Sequence, residues 1–400
     1  MDKKQYLILV SATIILFAIL SYRSSHNVLA VASDVQEKCI TSELTKLGVN
    51  KETCYYKEFK KISEENGYEF AFSTLFELQK IDPDSQGCHL IAHGIGTGAY
   101  KRNPNDWQKL IQILYSGCSY GAIHGVIENY VATLPEKNLT PEIMSTLCGE
   151  NPRADCNHIV GHLVLVQTEG NIDDGLKLCD AFNGDHRQKM FCYTGVFMEY
   201  QTALNLIEHG FAPKSWLNWP ERVPELEKIC RSYSGDAGIT CWEEIVHAVA
   251  LKFKNDAKKV FDFCSTAQIN EGAIRCRRHA IGILVAGNNY DLEDEKRMCD
   301  LVQPHDPNFK SECYVYIIGS TLASIPQSGG MKAISMCDGL EEQYKKSCFG
   351  EIGTMYKDGA SISRVDLTAL CSKAPEEYRS RCLNGHQGEN IYRTKPDVTD

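Results

Sequence analysis

Six side chains in the first half of the chain have the types and spacing of metal ligands on helices. They form three pairs, each four residues apart: His89 and His93, His124 and Glu128, and His158 and His162. Residues four apart lie on one face of a helix, so each pair could bind one ion. Five imidazoles and one carboxylate on neighbouring helices would suffice for a mononuclear or dinuclear zinc, copper or iron site. No other cofactor is expected.

Two interpretations of this histidine cluster compete. A histidine on an apolar helix face is often a hydrogen-bonded core residue, and equivalent positions in packed helices lie roughly 10 Å apart. In favour of a site, His124, His162 and His247 each follow a cysteine by six residues. A repeated position of this kind faces a cavity or a neighbouring backbone. We interpret His247 and His279, which lie in later repeats, as structural.

Catalysis is permitted by these residues but not indicated. Glu128, Glu169 or Glu199 could act as a general base towards a metal-bound water. The sequence has no nucleophile elbow, no phosphate-cradling glycine loop and no His-Glu-x-x-His helix. Catalytic residues therefore stay unassigned.

Cysteines mark the elements that must hold these histidines. The 18 cysteines recur in a unit made of a short amphipathic segment ending in Cys, a polar loop, and a second Cys that opens a longer apolar segment. Most of the second cysteines follow one another by 34 to 38 residues, which is the length of a helix–loop–helix unit. The pattern predicts an all-α, disulfide-stapled solenoid of αα-hairpin repeats with a period of about 35 residues, preceded by one N-terminal hydrophobic helix.

Disulfides within these units would close short loops, each worth roughly 2.5–3 kcal/mol. An even number of cysteines after an export segment indicates an oxidising compartment. Reduced metal-storing thiols are the disfavoured alternative, because no Cys-x-x-Cys pair occurs. Other connectivities stay open from sequence alone. The favoured pairs within units are Cys39–Cys54, Cys148–Cys156, Cys179–Cys192, Cys230–Cys241, Cys264–Cys276, Cys299–Cys313, Cys337–Cys348 and Cys371–Cys382. The remaining pair, Cys88–Cys118, would join neighbouring units.

The N-terminus has the features of an export segment. Lys3 and Lys4 precede an apolar run from Tyr6 to Leu20, and the small-x-small sequence ending at Ala32 follows. The segment is either a cleaved signal peptide or an anchor of about 17 apolar residues. Both alternatives place the remaining chain outside the cytoplasm. The protein is therefore expected to be secreted, or held at the membrane by this single segment.

Two further features bear on partners. The net charge of −10 leaves no basic surface of the kind that nucleic acid requires. The spacing between Cys192 and Cys241 stretches to 49 residues, and the insertion carries Trp216 and Trp219 among prolines. An exposed aromatic loop would suit a protein partner. Alternatively, both tryptophans cover the apolar seam of the solenoid itself.

These features divide the chain into six parts. They are a signal peptide or anchor (1–32), an N-terminal helical cap (33–83), His-rich αα repeats (84–200), the Trp/Pro insertion (201–224), C-terminal αα repeats (225–388) and a polar tail (389–400).

The layout resembles the cysteine-rich Sel1-like repeat proteins, which are exported solenoids of disulfide-linked helix pairs. The resemblance rests on the period and on cysteine placement, because the Sel1 glycine and alanine signature is not found here and the loops between paired cysteines are longer. It implies a solenoid whose surface binds other proteins. No functional residue is carried over from it.

The sequence thus predicts an exported or membrane-anchored helical-repeat protein whose surface binds a protein or envelope partner. The six ligand-type residues of the first three repeats would add a transition-metal site. The rival hypothesis is an extracytoplasmic metalloenzyme, a hydrolase or oxidoreductase, that uses the same histidines.

Overall fold

The protein is all-helical in the part of the chain that the structure describes. The computed structural model describes residues 27–40, 51–82, 85, 88–114, 118–133, 139–148, 154–182, 184–203, 206, 210–287, 292–302, 309–358 and 365–386. No strand occurs within these ranges. The expected all-α class is therefore confirmed. Residues 1–26, which carry the predicted hydrophobic segment, lie outside these ranges, and none of the helices described is long and apolar enough to cross a bilayer.

Twenty-one helices follow one another in the described ranges. In chain order they are α1 (27–40), α2 (Lys51–Asn66), α3 (Tyr68–Ile81), α4 (His89–Arg102), α5 (Trp107–Ile113), α6 (Gly121–Ala132), α7 (Pro141–Cys148), α8 (Ala154–Gln167), α9 (Ile172–Ala181), α10 (His186–Thr202), α11 (Trp219–Ser232), α12 (Gly235–Glu244), α13 (Val246–Lys252), α14 (Ala257–Cys264), α15 (Asn270–Gly287), α16 (Leu292–Val302), α17 (Phe309–Ser324), α18 (Pro326–Asp338), α19 (Glu342–Asp358), α20 (Leu367–Cys371) and α21 (Glu376–Asn384). Short 3₁₀ turns span Pro104–Asp106, Cys118–Tyr120 and Lys214–Leu217.

Alternate helices form one continuous row. Each helix of this row packs against the next one, in the order α2, α4, α6, α8, α10, α12, α15, α17, α19 and α21. Flanking helices such as α9 and α18 each pack against the two row helices that precede and follow them in the chain. All the predicted ligand residues lie on three members of the row, α4, α6 and α8.

Most disulfides join a flanking helix to the row helix that follows it. Eight disulfides are present among the described residues, and they are pairs expected from the spacing: Cys39–Cys54, Cys88–Cys118, Cys179–Cys192, Cys230–Cys241, Cys264–Cys276, Cys299–Cys313, Cys337–Cys348 and Cys371–Cys382. The exception is Cys88–Cys118, which joins the start of α4 to the turn before α6. Cys156 is also disulfide-bonded, but the side chain of its expected partner, Cys148, lies outside the description. No described cysteine is free. This number of disulfides indicates an oxidising, extracytoplasmic compartment.

The row helices begin earlier than the cysteines suggest. Cys192 lies in the second turn of α10, which begins at His186. The start is set by a capping box, in which the Asp185 side chain accepts from the Gln188 backbone and the Gln188 side chain accepts from the Asp185 backbone. Cys276 likewise lies in the second turn of α15. The second cysteine of a unit is thus a buried residue of the helix and not its first residue.

The row curves back on itself. The Gln79 side chain donates a hydrogen bond of 3.0 Å to the carbonyl oxygen of Ser324, 245 residues away. Helix α17 also packs against the turn Cys118–Tyr120, which lies just before α6. The row helices between α4 and α17 therefore bend around a common space.

Both tryptophans of the insertion contact their own chain. The Arg222 guanidinium lies 3.9 Å from the centre of the Trp216 ring, and the Tyr200 ring lies 5.0 Å from that ring. The Trp219 indole donates to the Thr202 carbonyl at 3.1 Å. These contacts favour the interpretation that the tryptophans cover α10. Binding of a partner at this loop stays a prediction.

Candidate metal centre

Glycines bring the histidine-bearing helices into backbone contact. A Cβ atom built on Gly96 would lie 1.8 Å from the Ala122 carbonyl oxygen of α6, and one on Gly125 would lie 2.1 Å from the His93 carbonyl oxygen of α4. Gly161 and Gly195 make the same kind of contact between α8 and α10. No side chain fits at such positions, so the helices approach more closely than the roughly 10 Å of ordinary packing.

Five imidazole rings meet as a result. His124 is buried at their centre, with only 3% of its surface exposed. Its ring centre lies 5.0 Å from that of His89, 6.0 Å from His93, 5.8 Å from His158 and 5.3 Å from His162. The structure thus assembles all five predicted histidines, which come from three different helices, into one cluster.

Glu128 adds a carboxylate to this cluster. Its Oε2 atom lies 3.0 Å from His93 Nε2. Ligand atoms of His93, His124 and Glu128 all lie within 4.8 Å of one another, so this group could hold a metal ion. The side chains of His93 and Glu128 are each 16% exposed, which allows solvent and ions to reach them.

His158 and His162 form an unusual contact next to this group. His162 Nδ1 donates to the Glu199 carboxylate at 3.0 Å. His158 Nδ1 lies 2.8 Å from the Thr194 hydroxyl, which itself donates to the Phe191 carbonyl and so accepts from the imidazole. These partners place the proton of each neutral ring on Nδ1 and leave a lone pair on each Nε2. The two Nε2 atoms lie 3.1 Å apart, so they are close enough to share either a proton or a bound cation.

His89 is oriented by a strained turn. Its Nδ1 atom donates to the Cys118 carbonyl at 3.1 Å, which fixes the tautomer and makes Nε2 the acceptor nitrogen of the ring. Cys118 and Tyr120 adopt left-handed backbone conformations, with φ of 54° and 62°, which cost of order 1–3 kcal/mol each for residues other than glycine. The Cys88–Cys118 disulfide ties this turn to the start of α4. The strained turn thus lies at the point where the Cys118 carbonyl orients the His89 imidazole.

The cluster favours neutral imidazoles. Burial, aided by the charge of His93, lowers the pKa of His89 to about 4. Burial and the neighbouring imidazoles hold the pKa values of His124 and His158 well below the ordinary value of 6.5. Burial opposes ionisation of Glu128, but His93 outweighs it and lowers the pKa of that carboxyl. Neutral imidazole and ionised carboxylate are the forms that bind metals.

A comparison with known proteins does not identify the chain. No family model, curated protein or solved structure matches it. The function therefore has to be inferred from the geometry of the site.

The structure adds functional candidates that sequence reasoning missed. Glu199, considered only as a distant general base, contacts His162 directly, whereas Glu169 lies about two helical turns beyond His162. Residues interpreted above as structural, His247 and His279, lie with Glu244 in a second group whose ligand atoms are within 4.8 Å of one another. Burial raises the pKa of Glu244 well above its usual range. The sequence did hold evidence for His247, because it follows a cysteine by six residues, as His124 and His162 do.

Proposed function

We propose that this protein is an extracytoplasmic helical-repeat binding protein that holds a transition-metal ion in the histidine cluster of its first repeats. The observation that carries the proposal is the meeting of five imidazole rings around the buried His124, where ligand atoms of His93, His124 and Glu128 lie within 4.8 Å of one another. The Nε2 atoms of His158 and His162, which are 3.1 Å apart, add two further nitrogens to the same cluster.

The hydrogen bonds around the cluster support the same proposal. Metal-binding histidines usually donate their second ring nitrogen to a carboxylate, a carbonyl or a hydroxyl, which fixes the tautomer. His162 has Glu199, His89 has the Cys118 carbonyl and His158 has Thr194 in this role. Three imidazoles thus have the outer partners that a ligand needs.

The donor atoms select the class of ion. Imidazole nitrogen and carboxylate oxygen suit Zn²⁺, Cu²⁺ and Fe²⁺, while the described cysteines are oxidised and so offer no thiolate for softer ions such as Cu⁺. With five imidazoles and Glu128 available, one or two ions could be accommodated. We propose a divalent ion of this class at the cluster.

Metal analysis tests the proposal. The full chain, made in an oxidising compartment, is stripped with a chelator, reloaded with Zn²⁺ and assayed for bound metal after desalting. We expect His124→Ala and His158→Ala variants to bind less Zn²⁺ than the wild type. His186→Ala is the matched control, because His186 lies on α10 but is 59% exposed and pairs with Asp236. Equal Zn²⁺ content in all four proteins would overturn the proposal.

One observation favours an enzymatic alternative. The group of His93, His124 and Glu128 supplies three ligands and is partly exposed, and a three-ligand set with an open position is typical of catalytic zinc. Azide added to the Co²⁺-loaded Glu244→Gln variant, which keeps all the residues of the first cluster, discriminates the two functions. A change in the visible spectrum shows an open position and supports the metalloenzyme, whereas an unchanged spectrum shows a closed site and supports the binding protein.

We extend the proposal to the architecture. The row of disulfide-bonded helix pairs would be an αα solenoid with a period of about 35 residues, as in the Sel1-like proteins that the layout resembles. Its surface would bind a protein or envelope partner. Residues 1–32 would export the chain and, if uncleaved, anchor it to a membrane.

A further inference from the structure

A second group of ligand-type side chains lies on later helices of the row. Glu244 is the last residue of α12, His247 lies in the first turn of α13, and His279 lies in the middle of α15. His247 Nε2 is 3.8 Å from Glu244 Oε2, and His279 Nδ1 is 3.8 Å from Glu244 Oε1. The two imidazole rings are 4.9 Å apart and nearly perpendicular, at 87°. Each oxygen of one carboxylate thus faces a different imidazole.

Three polar atoms of this group, one from each side chain, are buried without hydrogen bonds. Among the residues described, Glu244 Oε2, His247 Nε2 and His279 Nδ1 are inaccessible to solvent and have no hydrogen-bond partner. The Glu244 side chain is only 3% exposed. A separation of 3.8 Å is too long for a hydrogen bond, and burying a carboxylate with no partner is costly. An ion among these three atoms would satisfy all of them.

The distances suit a metal ion after a small adjustment. Zinc lies about 2.0–2.2 Å from nitrogen and oxygen ligands, which places two ligands of one ion roughly 3–3.5 Å apart. The two 3.8 Å separations need to shorten by only a few tenths of an ångström, which rotation of the side chains supplies.

We infer that Glu244, His247 and His279 form a second transition-metal site, separate from the histidine cluster of the first repeats. Two imidazoles and one carboxylate suit Zn²⁺, Fe²⁺ or Cu²⁺. Three protein ligands leave at least one coordination position for water or another small ligand. The inference does not depend on metal binding at the first cluster, because the two groups share no residue.

The two groups lie near each other. The charges of His247 and His279 act on His158, and the charge of His89 acts on His247. Charge effects between side chains are strong only over short distances, so these four histidines are close although they come from distant repeats. The curvature of the row explains this proximity.

Cobalt substitution tests the second site. The stripped full chain is titrated with Co²⁺, whose visible absorption reports coordination, and bound cobalt is counted after desalting. Glu244→Gln preserves the size of the side chain and removes its charge. The matched control is Glu271→Gln, because Glu271 lies on α15 with His279 but pairs with Arg275 at 3.3 Å.

We expect Glu244→Gln and His247→Ala each to lose one equivalent of cobalt and its absorption band, while Glu271→Gln retains both. The double variant His93→Ala with His124→Ala should keep the band that Glu244→Gln lacks, even if the first cluster binds nothing. Metal-free Glu244→Gln should melt no lower than the metal-free wild type, because it removes a buried carboxyl whose Oε2 atom has no hydrogen-bond partner. Unchanged cobalt binding in Glu244→Gln, together with a lower melting temperature, would show that Glu244 is only a structural partner and would overturn the inference.

Discussion

The Nε2 atoms of His158 and His162 lie 3.1 Å apart, while the Nδ1 atom of each ring already donates to Thr194 or Glu199. Two nitrogens bound to one zinc ion at about 2.0–2.1 Å are separated by roughly 3.3 Å in tetrahedral geometry. The pair therefore has nearly the spacing of two ligands on one ion. Its spacing arises within a single helix, but its tautomers depend on residues of the next row helix.

Glu199 should tune the affinity of this pair without binding metal itself. We expect Glu199→Gln to weaken Zn²⁺ binding by about 10–100-fold, as is typical when the outer partner of a metal-binding histidine is changed. Competition with a fluorescent chelator measures the affinity. Glu225→Gln is the control, since Glu225 is 46% exposed and pairs with Arg222. Equal affinities in the two variants would contradict the assigned role.

Gly125 should control how closely α4 and α6 approach. A Cβ atom in Gly125→Ala would lie 2.1 Å from the His93 carbonyl oxygen and 2.7 Å from the Thr97 backbone nitrogen, so the helices must separate. We expect a lower melting temperature and weaker Zn²⁺ binding. In Gly175→Ala, by contrast, the added Cβ has no neighbour closer than 3.5 Å, and the variant should gain up to ~1 kcal/mol from helix propensity. Thermal unfolding of both variants checks the contrast.

The metal-free protein should lose stability as the pH falls below about 6.5. The folded-state pKa of His89 is about 4, below the ordinary 6.5, so the unfolded chain binds more protons between these values. The contribution of His89 to the free energy of unfolding should therefore be constant above this window and decline within it, by at most about 1.4 kcal/mol per pH unit. Urea unfolding from pH 7.5 to 4.5, with chelator present, measures the slope, and His89→Gln should reduce it. A slope identical in wild type and variant would argue against a buried neutral His89.

Two disulfides should differ in their effect on the site. Replacing Cys264 and Cys276 by alanine should cost roughly 2.5–3 kcal/mol and leave Zn²⁺ affinity at the first cluster unchanged. Replacing Cys88 and Cys118 should also release the left-handed turn whose carbonyl orients His89, and so weaken Zn²⁺ binding as well as stability. Chelator competition and thermal unfolding on both double variants separate the two effects. Equal loss of affinity in both would indicate general destabilisation.

Local spacing in the sequence was enough to predict much of this protein. The cysteine period indicates paired helices, because a disulfide between neighbouring helix ends needs only a short loop. The i,i+4 spacing of His89 with His93 places two imidazoles on one helix face, because the helical repeat is 3.6 residues. Exact helix starts were not predictable in this way, since they depend on capping residues such as Asp185.

Only the tertiary structure decided which histidines meet and what fixes them. Whether α4 and α6 pack at ordinary distance or in backbone contact depends on glycines such as Gly125 meeting a specific neighbouring carbonyl. Glu199 reaches His162 across 37 residues, and Glu244 meets His279 only because α12 packs against α15. The proximity of His89 to His247 requires the whole row to curve. Such contacts depend on the curvature of the row, which is the sum of the small packing angles between successive helices. No local pattern of residues specifies this total curvature.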